Sequence, residues 1–295
     1  SGRQAGNDVF MQFRPDDPDL PQERRSCPAL PDGSAGGLHG TSGRIPALST
    51  ASAMRLTVTR ETFALRRPFT ISRGSRTHAH VLTVTIEADG TTGRGECVPY
   101  ARYGETLDSV EAQISGLPPR FDRAALQSLL PPGAARNAVD CALWDLEAKR
   151  TGRPVWELAG LAPPWPEITA YTISLDTPDA MREEAAANAH RPVLKTKLGS
   201  PGDLARLEAV REGAPEARLI LDANEGWTRE SYAALLPELL RLRVELVEQP
   251  LPAGADEALA DLPRPVPICA DERTTRTPKK VRPPIALARA TYFGL

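Results

Sequence analysis

From Met54 onward, apolar and polar positions fall into two successive patterns. Leu56 and Val58 alternate with Thr57 and Thr59 in a strand over 55–65, and a second alternation through Val81 and Ile86 predicts a strand over 80–88. Asp89-Gly90 is a hairpin turn dipeptide. Stretches 105–116 and 121–130 have helical character and are broken by Pro118-Pro119 and Pro131-Pro132. Residues 134–150 form a stronger amphipathic helix: Val139, Ala142, Leu143 and Leu146 share a face, and Gly152 and Pro154 follow its end. Strands followed by helices predict an α+β domain over 54–160.

Beyond residue 160 short apolar runs alternate with helical stretches. Strands are expected at 168–174, 193–198, 218–223, 244–248 and 266–271, with helices near 178–190, 202–213, 228–241 and 254–262. Strand–helix alternation implies βαβ units on a parallel sheet, so 161–272 reads as part of a (β/α) barrel. The flanks differ. Residues 1–53 hold six Pro and seven Gly with no sustained period, and are expected to be a disordered N-terminal extension, with Met54 as the natural start. Residues 273–295 carry six basic residues and no acid, a divergent basic tail.

Composition narrows the function classes. A net charge of −2 recommends neither nucleic acid nor an anionic membrane as partner, and no apolar run is long enough to span a bilayer. Cys27, Cys97, Cys141 and Cys269 show no zinc-like spacing, which fits reduced residues of a cytoplasmic protein, Cys141 being expected in the core with Trp144. Only five of the 36 basic residues are Lys, yet two of those five are Lys195 and Lys197. Lys can lose its proton in a suitable site and Arg effectively cannot.

Four polar residues sit at matching points of the repeat. Lys197, Asp222, Glu248 and Asp271 each end an apolar run, at intervals of 25, 26 and 23 residues, each about one βα unit. Strand C-termini converge at a barrel mouth. Three carboxylates meeting there call for a cation, and a hard divalent ion, Mg²⁺ or alternatively Mn²⁺, suits oxygen ligands.

These residues resemble a known family. Lys195-Thr196-Lys197, Asp222-Ala223-Asn224, Glu248-Gln249-Pro250 and Ala270-Asp271-Glu272 are similar to the strand-end motifs of the enolase superfamily, in its muconate-lactonizing-like branch. Arg136-Asn137-Ala138-Val139-Asp140, with Ala142-Leu143-Trp144-Asp145-Leu146, resembles the helix closing that branch's capping domain. Thr70-Ile71-Ser72-Arg73-Gly74 and the stretch Gly95 to Glu105 resemble the capping loops of its dipeptide epimerases. The resemblance covers about residues 54 to 272. It implies an α/β protein, an incomplete (β/α) TIM-like barrel preceded by an α+β capping domain, acting as a magnesium-dependent isomerase on a small dipeptide of the L-Ala-L/D-Glu type. Asp222, Glu248 and Asp271 would bind the metal, which holds the substrate carboxylate and stabilises the enediolate; this is the superfamily chemistry as generally described. Lys197 would be the base, with Lys195 close by to favour its neutral form. Arg73 would read a substrate carboxylate or stand as a solvated loop residue, Tyr100 and Tyr103 would line the same pocket or pack their loop, and Glu272 would support the metal site.

After Glu272 these motifs stop. The family's second Lys is not carried onto Lys279 or Lys280, which lie among prolines, and 161–272 is short of the roughly 250 residues of a complete barrel. The expectation is epimerase lineage with activity impaired by a missing second base. A cycloisomerase or dehydratase resembling o-succinylbenzoate synthase, and a non-catalytic truncated remnant, stay open beside it. Self-association into a homo-oligomer is open as well.

Overall fold

The computed structural model describes residues 53–271. The expected extension before Ala53, Glu272 and the basic tail lie outside the described residues. Eight strands and seven α-helices appear among these residues, in two compact units.

One unit comprises residues 53–61 and 80–166. Its sheet has the order β1 (Arg55–Ile71), β2 (Gly74–Ala88), β3 (Thr91–Cys97). β2 and β3 are antiparallel, pairing Leu82 with Cys97 and Ala88 with Thr91. Asp89 (φ 49°) and Gly90 (φ 75°) both take the left-handed conformation that a two-residue hairpin requires. Leu82, Val84 and Ile86 face inward with no exposed surface, in the alternation read from the sequence. They share a core with Val110 and Ile114 of α1 (Leu107–Ser115), Leu126 of α2 (Arg123–Leu129) and six residues of α3 (Ala134–Thr151): Ala135, Ala138, Val139, Ala142, Leu143 and Leu146. α4 (Val155–Leu158) follows.

Helix α3 approaches β3 closely enough to dictate its sequence. A Cβ on Gly93 would stand 2.2 Å from the Ala142 carbonyl oxygen, and one on Gly95 2.0 Å from that of Ala138. Only glycine leaves room for the helix backbone there. Cys141 and Trp144, expected in the core, are instead half-buried on the flank of α3, where the Arg123 guanidinium lies 3.3 Å from the Trp144 ring centroid. That arrangement stacks the ring against a cation.

The second unit comprises residues 62–79 and 167–271. It holds the far arms of the β1–β2 hairpin and a five-stranded parallel sheet of barrel type in sequential order: β4 (Tyr171–Ile173), β5 (Val193–Lys197), β6 (Arg218–Asp222), β7 (Val244–Glu248) and β8 (Ile268–Cys269). α5 (Pro178–Ala187), α6 (Asp203–Gly213), α7 (Arg229–Arg241) and a 3₁₀ turn at Asp256–Asp261 connect them. β5 is buried at every position, as a strand covered on both faces must be. Leu194, Leu219, Leu221 and Val247 meet Met181, Leu207, Val210 and Leu239 of the helices in one core. Arg211 seals the lower turns: its guanidinium donates to the carbonyls of Leu242 (2.8 Å) and Ala217 (2.7 Å).

Some boundaries differ from the pattern-based ones. The hairpin arms run on to Ile71 and back from Gly74, because hydrogen bonding to a neighbouring strand sustains extended backbone where apolar alternation has ceased. β8 is two residues long where six were expected. Pro265 and Pro267 flank Val266 and have no N–H to donate, so the ladder starts when Val247 N–H reaches the Pro267 carbonyl at 2.9 Å. Among the described residues no helix is long and apolar enough to cross a membrane.

Cys97 ends β3, and burial, reinforced by the charges of Glu105 and Glu96, pushes its thiol up to about 12. Between the ordinary thiol value and 12, an unfolded chain releases this proton while the folded one keeps it, so stability declines as pH rises through that window. Urea unfolding from pH 8.5 to 11.5 should show an added decline on the order of 1 kcal/mol per pH unit that Cys97→Ala lacks. Equal slopes for the two proteins would contradict it.

Candidate active site

Three strand ends meet in register. Lys197 pairs with Asp222, and Asp222 with Glu248, across β5, β6 and β7. Residues opposite one another in a parallel sheet point to the same face, so these side chains share it, and Lys195 shares it two residues earlier. Lys195, Asp222 and Glu248 are each 1% exposed and Lys197 6%.

The charges satisfy one another. Lys195 Nζ lies 3.0 Å from Asp222 Oδ2 and 2.6 Å from Glu248 Oε2, a single ammonium shared by two carboxylates. Lys197 Nζ donates to Asp222 Oδ2 at 2.5 Å, and Asn224 N–H donates to Asp222 Oδ1 at 2.9 Å. Burial pulls the Lys195 ammonium toward deprotonation, but the charges and hydrogen bonds of Asp222 and Glu248 outweigh it, and its pKa moves upward. Asp222 moves down: burial opposes ionisation, and the two ammonium groups more than compensate. Glu248 moves up through burial and the charge of Asp222, against the pull of Lys195. Lys195 is therefore a fixed cation, and Lys197 is the amine at the open end of the cluster.

Asp271 enters differently. It is half-buried, and its N–H donates to Gln249 Oε1 at 2.9 Å while Gln249 Nε2 donates to the Leu251 carbonyl at 2.8 Å. Among the described residues no three His, Cys, Asp or Glu side chains are placed to hold a metal ion together. The donor chemistry nevertheless suits a hard divalent cation. Asp222 and Glu248 supply buried carboxylate oxygens, and Asn224 Oδ1, in the adjoining loop, is buried without a hydrogen-bond partner among the described residues.

The loops after the strands are held tightly. Asn224 (φ 45°), Glu225 (φ 67°) and Gln249 (φ 36°) occupy left-handed backbone just after Asp222 and Glu248, a conformation uncommon outside glycine and concentrated at functional sites. Gly199 (φ 108°) and Gly226 meet backbone to backbone, since a Cβ on Gly226 would lie 2.5 Å from Gly199 Cα. Asp203 joins the same two loops. Its Oδ2 accepts from Gly199 N–H (2.7 Å), Ser200 N–H (3.1 Å) and the Trp227 indole N–H (2.7 Å). Sequence reasoning missed Asp203, because an acid in the first turn of a helix reads as an ordinary dipole partner.

Arg73 stands at the tip of the β1–β2 hairpin. Its Nη1 donates to the Asn224 carbonyl at 2.8 Å and to Glu225 Oε2 at 3.2 Å, and Ser72 Oγ donates to the same carbonyl at 2.9 Å. The Phe69 ring centroid lies 5.8 Å from Lys197 Nζ. Tyr100 and Tyr103 belong to the other unit, where their rings pack edge to face with centroids 5.4 Å apart.

Comparison with known proteins gives concordant results. Residues 53–160 match the family model of the mandelate racemase/muconate lactonizing enzyme N-terminal domain, and residues 180–294 match the enolase C-terminal domain-like family, a match that runs past Glu272. The chain is 46% identical over 218 residues to the L-Ala-D/L-Glu epimerase of Escherichia coli K12, covering 72% of this chain and 68% of that protein. An enolase family member from Agrobacterium tumefaciens with homology to dipeptide epimerases, solved with sodium, L-Ala-L-Glu and an ordered loop, is 52% identical. It superposes with a TM-score of 0.70 over 75% of this chain and 69% of that one. The dipeptide epimerase from Cytophaga hutchinsonii, solved with Mg and D-Ala-L-Val, is 26% identical with a TM-score of 0.69, covering 75% of this chain and 65% of its own. The chain thus spans about two thirds of the length of each.

Replacing Lys195 with Met would leave two buried carboxylates without their shared cation and should cost about 3–5 kcal/mol in urea unfolding, with Asp222→Asn in the same background restoring part of it. A loss below about 1 kcal/mol would show that the ammonium does not compensate this pair. Asp203→Ala should shift the Trp227 indole N–H resonance and destabilise by roughly 2–4 kcal/mol; an unmoved resonance would remove Asp203 from this role.

Proposed function

Because the chain belongs to the mandelate racemase/muconate lactonizing enzyme family of the enolase superfamily, we propose that it acts as an epimerase on a dipeptide with an acidic C-terminal residue, L-Ala-L-Glu being the type substrate. The observation that supports this most directly is the in-register line Lys197, Asp222, Glu248 at three adjacent strand ends, with Lys195 buried beneath it. Two of the relatives named above are epimerases of dipeptides and the third has homology to them, and the two solved with ligand hold a dipeptide.

In this reading Asp222, Glu248 and Asp271 would hold Mg²⁺, with Mn²⁺ as an alternative. Bound there, the metal would supply Lewis-acid stabilisation for negative charge developing on the substrate carboxylate. Of the two proton transfers that epimerisation needs, the described residues account for the removal. Lys197 Nζ, as the neutral amine, takes the α-proton of the C-terminal residue and becomes the ammonium, leaving its contact with Asp222 to do so, and the transfer is local because the amine already sits at the mouth of the cluster. Lys195 stays charged throughout. It keeps the two carboxylates from repelling each other and adds a fixed positive field beside the reacting carboxylate. Phe69 and the strand-end loops limit water around the amine, which strengthens each electrostatic contact inside. Arg73 reads the substrate's side-chain carboxylate.

Proton removal is measurable on its own. With Mg²⁺ and L-Ala-L-Glu in D₂O, deuterium should enter the C-terminal α-position, and Lys197→Met should slow the exchange by about 10²–10⁴-fold. Exchange at an undiminished rate in the variant would sink Lys197 as the base. No exchange in the dipeptide, together with turnover of a non-peptide acid, would move the assignment to a cycloisomerase or dehydratase.

A further inference from the structure

Glu225 is a charged residue that the proposed chemistry leaves without a task, and its surroundings are unusual. It stands three residues after Asp222 in left-handed backbone (φ 67°), which costs a non-glycine residue conformational energy. Its carboxylate is divided between two loops: Oε1 accepts from Ala253 N–H at 2.9 Å and Oε2 from Arg73 Nη1 at 3.2 Å. Its own N–H donates to the Gln249 carbonyl at 2.9 Å. The side chains of Arg73 and Glu225 are 27% and 10% exposed, so water screens the pair only in part.

Glu225 is not needed to place the hairpin tip. Arg73 Nη1 and Ser72 Oγ both donate to the Asn224 carbonyl, a backbone atom fixed by the loop. The carboxylate adds charge rather than anchorage. A guanidinium already paired with a carboxylate attracts a second one less, and the two anions repel each other across it. The same carboxylate offers no such penalty to a neutral side chain.

We propose that Glu225 sets the substrate preference of the site: it competes with the ligand's side-chain carboxylate for Arg73, weakening acidic dipeptides relative to neutral ones and keeping the site open to both. The inference rests on the reading of Arg73 as the residue that meets that carboxylate. Chemically, Glu225 is an internal stand-in for an acidic side chain, exchanged when a real one arrives.

Calorimetric titration of the full chain with L-Ala-L-Glu and with L-Ala-L-Gln, both in Mg²⁺, tests this. Two like charges a few ångströms apart at a partly screened site interact by a kcal/mol or more, so Glu225→Gln should bind L-Ala-L-Glu at least about fivefold more tightly. Affinity for L-Ala-L-Gln should stay within about twofold, and the gain should vanish in an Arg73→Met/Glu225→Gln double variant. Glu225→Asn, which tolerates left-handed backbone, provides a second variant and should behave alike. If Glu225→Gln binds the acidic dipeptide no more tightly, or binds both dipeptides more tightly by the same factor, the competition is refuted. If wild type and variants bind neither dipeptide, the dipeptide reading of the site falls and this inference falls with it.

Discussion

The charge balance around Lys195 is the constraint on which the second unit depends. An ammonium at 1% exposure between two carboxylates as deeply buried is tolerable only as a set. Removing one member leaves an uncompensated charge in a poorly solvated place, which costs more than the contact it made. The set also imposes register. Lys197, Asp222 and Glu248 must stay opposite one another, and a one-residue slip of any strand would send its charged side chain into the helical layer, where Leu207, Val210 and Leu239 offer nothing polar. The same cluster that suits proton chemistry thus specifies how three strands align.

Around that line the backbone is stiff. Left-handed Asn224, Glu225 and Gln249 turn the chain sharply at the ends of β6 and β7, and their side chains and carbonyls tie neighbouring loops together. Asp203 binds the loop after β5 to the loop after β6. The role proposed for Lys197, a base that must reach an α-carbon within a fraction of an ångström, would gain from such bracing. Lys197 has little freedom except along its own side chain.

Much of this was legible in the sequence, for stated physical reasons. β5, β6 and β7 are short apolar runs that end on a charge, and their spacing reveals the repeat that brings Lys197, Asp222 and Glu248 together. The faces of α3 and β2 follow from their periods of 3.6 and 2. What escaped depended on partners distant in sequence. Gly93 and Gly95 look like strand breakers until α3 is laid on them. Asp203 looks like an ordinary first-turn acid until the Trp227 indole is beside it. Arg73 was read toward a ligand carboxylate or as a solvated loop residue, and its contacts with Asn224 and Glu225 come from residues about 150 positions away. The half-buried setting of Trp144 depended on Arg123, which no helical period announces.

The abutment of Gly199 and Gly226 bears on how a molecule of this design can diversify. Two loops that touch through bare backbone cannot lengthen or acquire side chains independently, since any atom added to one displaces the other. Gly74, at the exposed hairpin tip, has open space where a side chain would go, though its φ of 145° disfavours one. Room for inserted residues therefore lies in the hairpin and not between the strand-end loops. Descendants of such a scaffold would be expected to trade ligands by redrawing the hairpin while the glycine contact, and the amine beside it, stay where they are.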